Sequence, residues 1–184
     1  QNSIELSFTV TVKPSAGNIY GFVLTDLATY GGLVWAQIPD TDPGYPEYLA
    51  ATNYTIYSEE YVDGAIYAYG FDGDDWEANW QFMTIDPETF EIVDMKDLGE
   101  GFPFVYDITY DYTTGTMYAV AGHDETSADL FMVNMASGAL IPVMEIEPFF
   151  MSIAAAPDGT IYAMAASEES FDPETWESTY SNAI

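Results

Sequence analysis

Between residues 4 and 13 apolar and polar side chains alternate strictly. Ile4, Leu6, Phe8, Val10 and Val12 stand against Glu5, Ser7, Thr9, Thr11 and Lys13, the period-two signature of a strand with one face buried. Apolar-rich strand segments then recur at 54–58, 104–110 and 149–155. Each runs into a tight turn, Val62-Asp63-Gly64, Thr113-Thr114-Gly115 or Pro157-Asp158-Gly159, and out again into a strand that opens on glycine. Glycine tolerates the left-handed backbone such hairpins need.

The glycine-led strands are copies of one another. Gly17-Asn18-Ile19-Tyr20-Gly21-Phe22, Gly64-Ala65-Ile66-Tyr67-Ala68-Tyr69, Gly115-Thr116-Met117-Tyr118-Ala119-Val120 and Gly159-Thr160-Ile161-Tyr162-Ala163-Met164 share a rule: Gly, any residue, Ile or Met, Tyr, Gly or Ala, large apolar. They are spaced by 47, 51 and 44 residues, the period of a four-stranded repeat. Third strands follow at 80–85 and 130–134, and fourth strands at 90–93 and 139–145 after the turns Asp86-Pro87-Glu88-Thr89 and Met135-Ala136-Ser137-Gly138. Strand, turn, strand, loop, strand, turn, strand is an antiparallel meander. Small residues after each Tyr fit sheets that crowd one another near a common axis.

The Gly-x-Ile/Met-Tyr-Ala strand, the Asp-Pro-Glu-Thr turn and the Pro-Asp-Gly-Thr turn resemble repeats of bacterial extracellular β-propellers of the YVTN or quinoprotein-like kind, over residues 17 to about 165. The resemblance implies an all-β fold, a partial β-propeller of about four blades, each a four-stranded antiparallel meander. It implies no functional residue, because such repeats specify geometry and serve unrelated activities. The domain reading is an N-terminal strand at 1–14 and blades over 15–184, the last incomplete where a third strand should start. The strand at 4–13 has two readings, the first strand of blade one or, from its similarity to bacterial immunoglobulin-like modules, the last strand of such a module. The expectation that follows is a piece of a longer surface protein, with a neighbouring copy or strand 4–13 curling round to close the ring as the alternatives.

Charge narrows the function. The 184 residues hold 31 Asp and Glu, two Lys, no Arg, one His and no Cys, a formal net charge of -29. Nucleic acid and anionic membrane surfaces need cations this chain lacks, and no apolar run is long enough for a membrane-spanning helix. Hydrophobic residues at 48% and aromatics at 16% belong to a folded body rather than a solvating tail. The charge suits a protease-rich exterior, since Lys13 precedes Pro14 and leaves Lys96 as the one ordinary trypsin site, or high salt, which screens self-repulsion. An extracellular or cell-surface location follows as an expectation.

Candidate chemistry is sparse. Asp72, Asp74, Asp75 and Glu77 form the densest carboxylate group. Such a loop can supply calcium with several oxygens, although Trp76 and Glu77 break the EF-hand order. The alternative is a solvated loop. Asp40 to Gly44 and Asp107 to Asp111 are weaker versions, better read as turn chemistry and strand edges. Trp76 and Tyr45, with Tyr48, Trp35 and Trp80, raise a glycan-binding face, against core packing for Trp35 and Trp80. The recurrent Tyr20, Tyr67, Tyr118 and Tyr162 are read as structural. His123 beside Asp124 and Glu125 makes a thin active site and is read as a loop residue. Asn53-Tyr54-Thr55 matches a glycosylation acceptor and is given no role in a bacterial-looking chain. The expected function is a noncatalytic binding or scaffold module for a protein or glycan. The alternatives are a subunit that polymerises by donating strand 4–13, and a carbohydrate-active enzyme or glycan-binding domain. No cofactor is expected beyond calcium.

Overall fold

The computed structural model describes residues 19–23, 33–39, 47–73, 79–124, 127–146, 150–172 and 177–183. These residues form fourteen strands and no helix. Sheet one joins β1 (Ile19–Val23), β2 (Leu33–Ile38) and β3 (Glu47–Thr52). Sheet two joins β4 (Tyr54–Val62), β5 (Ala65–Asp72), β6 (Trp80–Ile85) and β7 (Ile92–Asp97). Sheet three joins β8 (Phe104–Asp111), β9 (Thr116–Asp124), β10 (Ser127–Asn134) and β11 (Ala139–Ile146). Sheet four joins β12 (Phe150–Ala155), β13 (Ile161–Asp172) and β14 (Glu177–Ala183). Every sheet is an antiparallel meander in chain order. The glycine-led strands are β1, β5, β9 and β13. The third strand expected to be cut short in the last repeat is present as β14.

The hairpins follow from their turn residues. Val62 pairs Ala65 across Asp63 and Gly64, whose φ values of 48 and 94° make a two-residue turn with both central residues left-handed. Asp111 pairs Thr116 across a longer loop closed by Gly115 N–H on the Asp111 carbonyl at 2.8 Å. The Asp111 carboxylate accepts from Thr113 N at 2.8 Å, from Thr113 Oγ1 at 2.6 Å and from Thr114 Oγ1 at 2.6 Å. These hydroxyls hold it below the ordinary carboxylate range.

The sheets stack in chain order, and the repeat sets which side chains meet. Register makes Phe22, Tyr69, Val120 and Met164 equivalent, each following a Gly or Ala. Phe22 and Trp35 of sheet one pack with Ile56, Ile66, Ala68, Met83 and Ile85 of sheet two. Tyr69, Phe71, Trp80 and Phe82 on the other face of sheet two pack with Val105, Ile108, Met117, Ala119, Phe131 and Val133 of sheet three. Tyr118, Val120 and Leu130 on the far face of sheet three meet Phe150, Ile153, Ile161 and Ala163 of sheet four. On the glycine-led strands the leading face thus carries Ala68 and Ala119 where the trailing face carries the larger Tyr69 and Val120. Ala68 and Ala119, fully buried, are small because the rings of the preceding sheet lie against them. The size rule is a property of the sheet-to-sheet contact.

The first strands lie side by side, β4 by β8 and β8 by β12. All three carry a bulge at the same place, between Ile56 and Ser58, Val105 and Asp107, and Phe150 and Ser152. An extra residue in one strand of a pair sharpens its twist and re-aims its neighbours, so a bulge repeated in register gives three sheets a common bend.

The turns between third and fourth strands also repeat, and here the structure departs from expectation. The fourth strand of sheet two is Ile92–Asp97, two residues later than the sequence pattern suggests. Asp86 Oδ1 accepts from Glu88 N at 2.8 Å and Thr89 N at 3.0 Å, and Phe90 N–H donates to the Asp86 carbonyl at 2.8 Å. Phe90 is thereby left in the turn at φ 58°, with its ring stacked on Trp35 at 5.3 Å. Gly138 occupies the equivalent place in sheet three, at φ 74°, its N–H on the Asn134 carbonyl at 2.8 Å. It sits over Phe82, the register equivalent of Trp35. Tyr69 Oη donates to the Gly138 carbonyl at 2.7 Å in a fully buried contact. Tyr69→Phe leaves that carbonyl without its partner and should destabilise by about 1–3 kcal/mol; equilibrium urea unfolding measures it.

Candidate functional site

The first strands carry the polar chemistry that the fold concentrates. After the bulge, Ser58, Asp107 and Ser152 are equivalent, then Glu59, Ile108 and Ile153, then Glu60, Thr109 and Ala154. Alternation turns Glu59 toward sheet one and Glu60 toward sheet three. Asp107 reaches sheet four, its Oδ2 accepting from Ser152 Oγ at 2.6 Å and Ile153 N at 2.9 Å. Glu60 Oε2 accepts from Tyr110 N at 3.3 Å, and one repeat later Thr109 Oγ1 accepts from Ala155 N at 2.9 Å. The Phe22 N–H faces the Glu59 carboxylate. Carboxylates and a hydroxyl on β4 and β8 therefore grip backbone of an adjoining sheet.

The three carboxylates also burden one another. Burial pushes the Glu59 carboxyl up to about 7, with the charges of Asp107 and Glu60 adding to the rise and the Phe22 N–H opposing it. Burial raises Glu60 and Asp107 too, against the hydrogen bonds each accepts. The Ser58 hydroxyl is buried with no hydrogen-bond partner. Asp107→Ala removes both bonds to β12, and hydrogen exchange should show faster amide exchange in β12 and β13 than in β5 and β6.

Beside this row lies an aromatic group of which the sequence pattern singles out only Trp80. The bulge places Tyr57, Tyr106 and Met151 at equivalent positions. Tyr57 packs edge-on against Phe104 at 4.4 Å and Trp80 at 6.4 Å, and Phe104 meets Tyr106 at 5.0 Å. The bulges that align them show only in the strand pairing. A shallow groove of about 420 Å³ lies elsewhere, between Ala50–Tyr54 and Thr89–Ile92, with Glu91 its one charged residue.

Asp72 ends β5 and is exposed. Asp74, Asp75, Trp76 and Glu77, and likewise Tyr45 and Asp40 to Gly44, lie outside the described residues. The connections carrying Trp76 and Tyr45 leave opposite ends of their sheets, one joining a second strand to a third and the other a third to a fourth. Among the described residues no group of His, Asp and Glu has metal-binding geometry. Trp35 and Trp80 are 2% and 4% exposed and belong to the core between sheets. Tyr67 stacks on Phe82 at 6.0 Å, Tyr118 packs on sheet four, and Tyr162 is exposed. Tyr48 is exposed on β3. His123 falls within β9 rather than in a loop. Asn53 joins β3 to β4, its carbonyl accepting from Gly73 N at 2.7 Å. No family model matches the chain. No curated protein matches it either.

Proposed function

We propose that this chain is a noncatalytic binding and scaffold module of the cell surface or exterior, carried on part of a β-propeller of about four blades. The observation that carries the reading is the use made of its polar groups. Asp107, Glu60 and Thr109 hold adjoining first strands together, and Asp111 and Asp86 close turns. In this reading the first strands line the axis and the repeat builds a rigid body. Recognition then falls to the variable connections between second and third strands, which leave equivalent ends of the four sheets. Asp72, Asp74, Asp75 and Glu77, with Trp76, belong to one of them, where calcium and a ligand would bind. Rigid scaffolds presenting variable loops are a common way to build binding surfaces.

A glycan array followed by product analysis tests the reading. Retention of a ligand without turnover is the expected result, and released sugar would replace it with the enzyme alternative. Calcium titration by calorimetry should give a heat that Asp74→Asn and Asp75→Asn together remove. An exterior location also predicts resistance to trypsin, because Lys96 lies half-buried on β7 with its Nζ 2.7 Å from Asp94 Oδ2. Cleavage at Lys96 should therefore require unfolding, and quick native cleavage there would count against a chain shaped by proteases.

A further inference from the structure

We propose that the tyrosines at the hairpin end of sheets two and three, Tyr112 with Tyr61 and Tyr110, form with Asp63 and Glu60 a docking surface for a segment of a partner protein that carries lysine and arginine. The inference is independent of the binding role given to the loops. Hairpins between first and second strands close at one end of the sheets, and the connections between second and third strands leave at the other.

Tyr112 follows β8 at the start of its hairpin turn and is 60% exposed. Its hydroxyl donates to the Tyr61 carbonyl on β4 at 3.1 Å, and its ring stands edge-on to that of Tyr110 at 4.8 Å. Tyr110 in turn packs on the core, with its hydroxyl beside Gly115. Two contacts thus fix a ring that remains largely in solvent, so little freedom is left to lose when a partner settles on it. Tyr61, the register equivalent of Tyr110, is 54% exposed.

Carboxylates stand around this ring. Glu60 accepts from Tyr110 N at 3.3 Å, and Asp63 is exposed in the two-residue turn after β4. Partial burial and then the charges of Asp63 and Glu60 raise the Tyr112 phenol above its ordinary value, so both acids lie within electrostatic reach of it. The hairpin turns of sheets three and four touch, Thr113 lying against Gly159, and the exposed Asp158 extends the acidic rim. Among the described residues none of Glu60, Asp63 and Asp158 has a cationic partner, the one salt bridge being that of Lys96 with Asp94.

The occupant follows from charge. Aromatic faces attract ammonium and guanidinium groups, and carboxylates beside them complement the same cations. A second copy cannot bring such a segment, since the 184 residues hold two Lys and no Arg. The acids stand on successive turns, so an extended chain with spaced cations meets more of them than a small cation does. The net charge of -29 draws cations to the whole surface. The tyrosines give the attraction a place.

Fluorescence anisotropy of a labelled deca-lysine peptide, titrated with the full 184-residue chain, tests this against the same peptide fully acetylated, which keeps its length and loses its charge. The expected result is salt-sensitive binding of the charged peptide alone. Tyr112→Leu should weaken it about three- to fivefold, while Tyr112→Phe, which keeps the ring, stays within about twofold of the parent. Asp63→Asn, which tolerates the same left-handed turn, should weaken binding and flatten its salt dependence. Tyr48→Leu, at an exposed tyrosine beside Glu47 on β3, should change nothing. Hydroxyl-radical footprinting of the unaltered protein does not depend on how the variants fold. Deca-lysine should protect Tyr61 and Tyr112 and leave Tyr48 and Tyr162 reactive. Equal binding of the acetylated peptide, indifference to Tyr112→Leu, or equal protection of all four tyrosines would overturn the proposal.

Discussion

Gly138→Ala should lower the melting temperature more than a methyl added at any other glycine of the described turns. The glycine has φ 74°, a conformation that costs an L-residue roughly 1–2 kcal/mol. A Cβ there would lie 2.3 Å from the Phe82 Cβ and 2.6 Å from its Cγ. Phe82 cannot retreat easily, since it is 2% exposed and packed between Tyr67 and Tyr69. Overpacking of that kind adds about 1–3 kcal/mol. The backbone shift that would relieve it also pulls the Gly138 carbonyl from the Tyr69 hydroxyl. A total of several kcal/mol corresponds to a fall on the order of 10 °C for a chain of this size. Calorimetry on Gly138→Ala measures it, with Gly64→Ala as the comparison. Gly64 also has positive φ, at 94°, but nothing lies within 4 Å of its Cβ direction, so its change should be the smaller. Equal losses at the two positions would mean that strain alone acts and that the Phe82 contact contributes nothing.

Phe90 shows why the same place in the repeat holds a ring in one sheet and glycine in the next. In both, a carbonyl four residues earlier, of Asp86 or Asn134, closes the turn and forces positive φ. Over Trp35 there is room for a stacked ring, a contact that offsets backbone cost. Over Phe82 the turn lies so close that only a hydrogen fits. Phe90→Ala should therefore destabilise more than Phe90→Gly, as alanine loses the stacking and keeps the strain, and paired thermal melts of the two variants decide it.

The repeat was legible because backbone demands recur in sequence. Gly64, Gly115 and Gly159 mark hairpins, and the residues around them alternate with period two. The buried aromatics Trp35 and Trp80 followed from their place in third strands. Phe90 misled because a large apolar residue reads as strand, and its turn is set by hydrogen bonds to Asp86 that apolar patterning does not report. The first-strand site was less legible still. Glu59 and Glu60 are adjacent acids among many, and the sequence does not say that one faces sheet one and the other sheet three. That assignment depends on the bulge between Ile56 and Ser58, and bulges carry no side-chain signature here. In the sequence Asp107 is one member of an acidic segment. Its work, joining β8 to β12, is a long-range contact that periodicity along one strand does not contain.

Stability should rise as the pH is lowered from 8 toward 5, the reverse of a protein held by ordinary ion pairs. Glu59 has its folded pKa raised from 4.5 to about 7. Its contribution is thus fully present below about 4.5, where both folded and unfolded forms are protonated, and is lost as the pH climbs through 7. A rise of this size corresponds to roughly 3 kcal/mol across that window. Glu60 and Asp107 are raised as well and act in the same direction. Asp86, Asp94, Asp111 and Asp158 are lowered, so what they contribute is present above the ordinary carboxylate range and fades only in stronger acid. The two sets together place the optimum near pH 4 to 5, close to the sequence pI of about 4.1, where self-repulsion is also least. Glu59→Gln separates the local cause from the global one. Glutamine keeps an acceptor for the Phe22 N–H and removes the charge that Asp107 and Glu60 oppose, so the variant should melt higher than the parent at pH 8 and match it near pH 5. High salt should flatten the remaining slope, since general repulsion is screened while a buried carboxylate is not. A parent protein whose melting temperature falls on acidification from pH 8 to 5, or a Glu59→Gln variant that keeps the full slope, would mean that the carboxylate row does not govern how the first strands hold together.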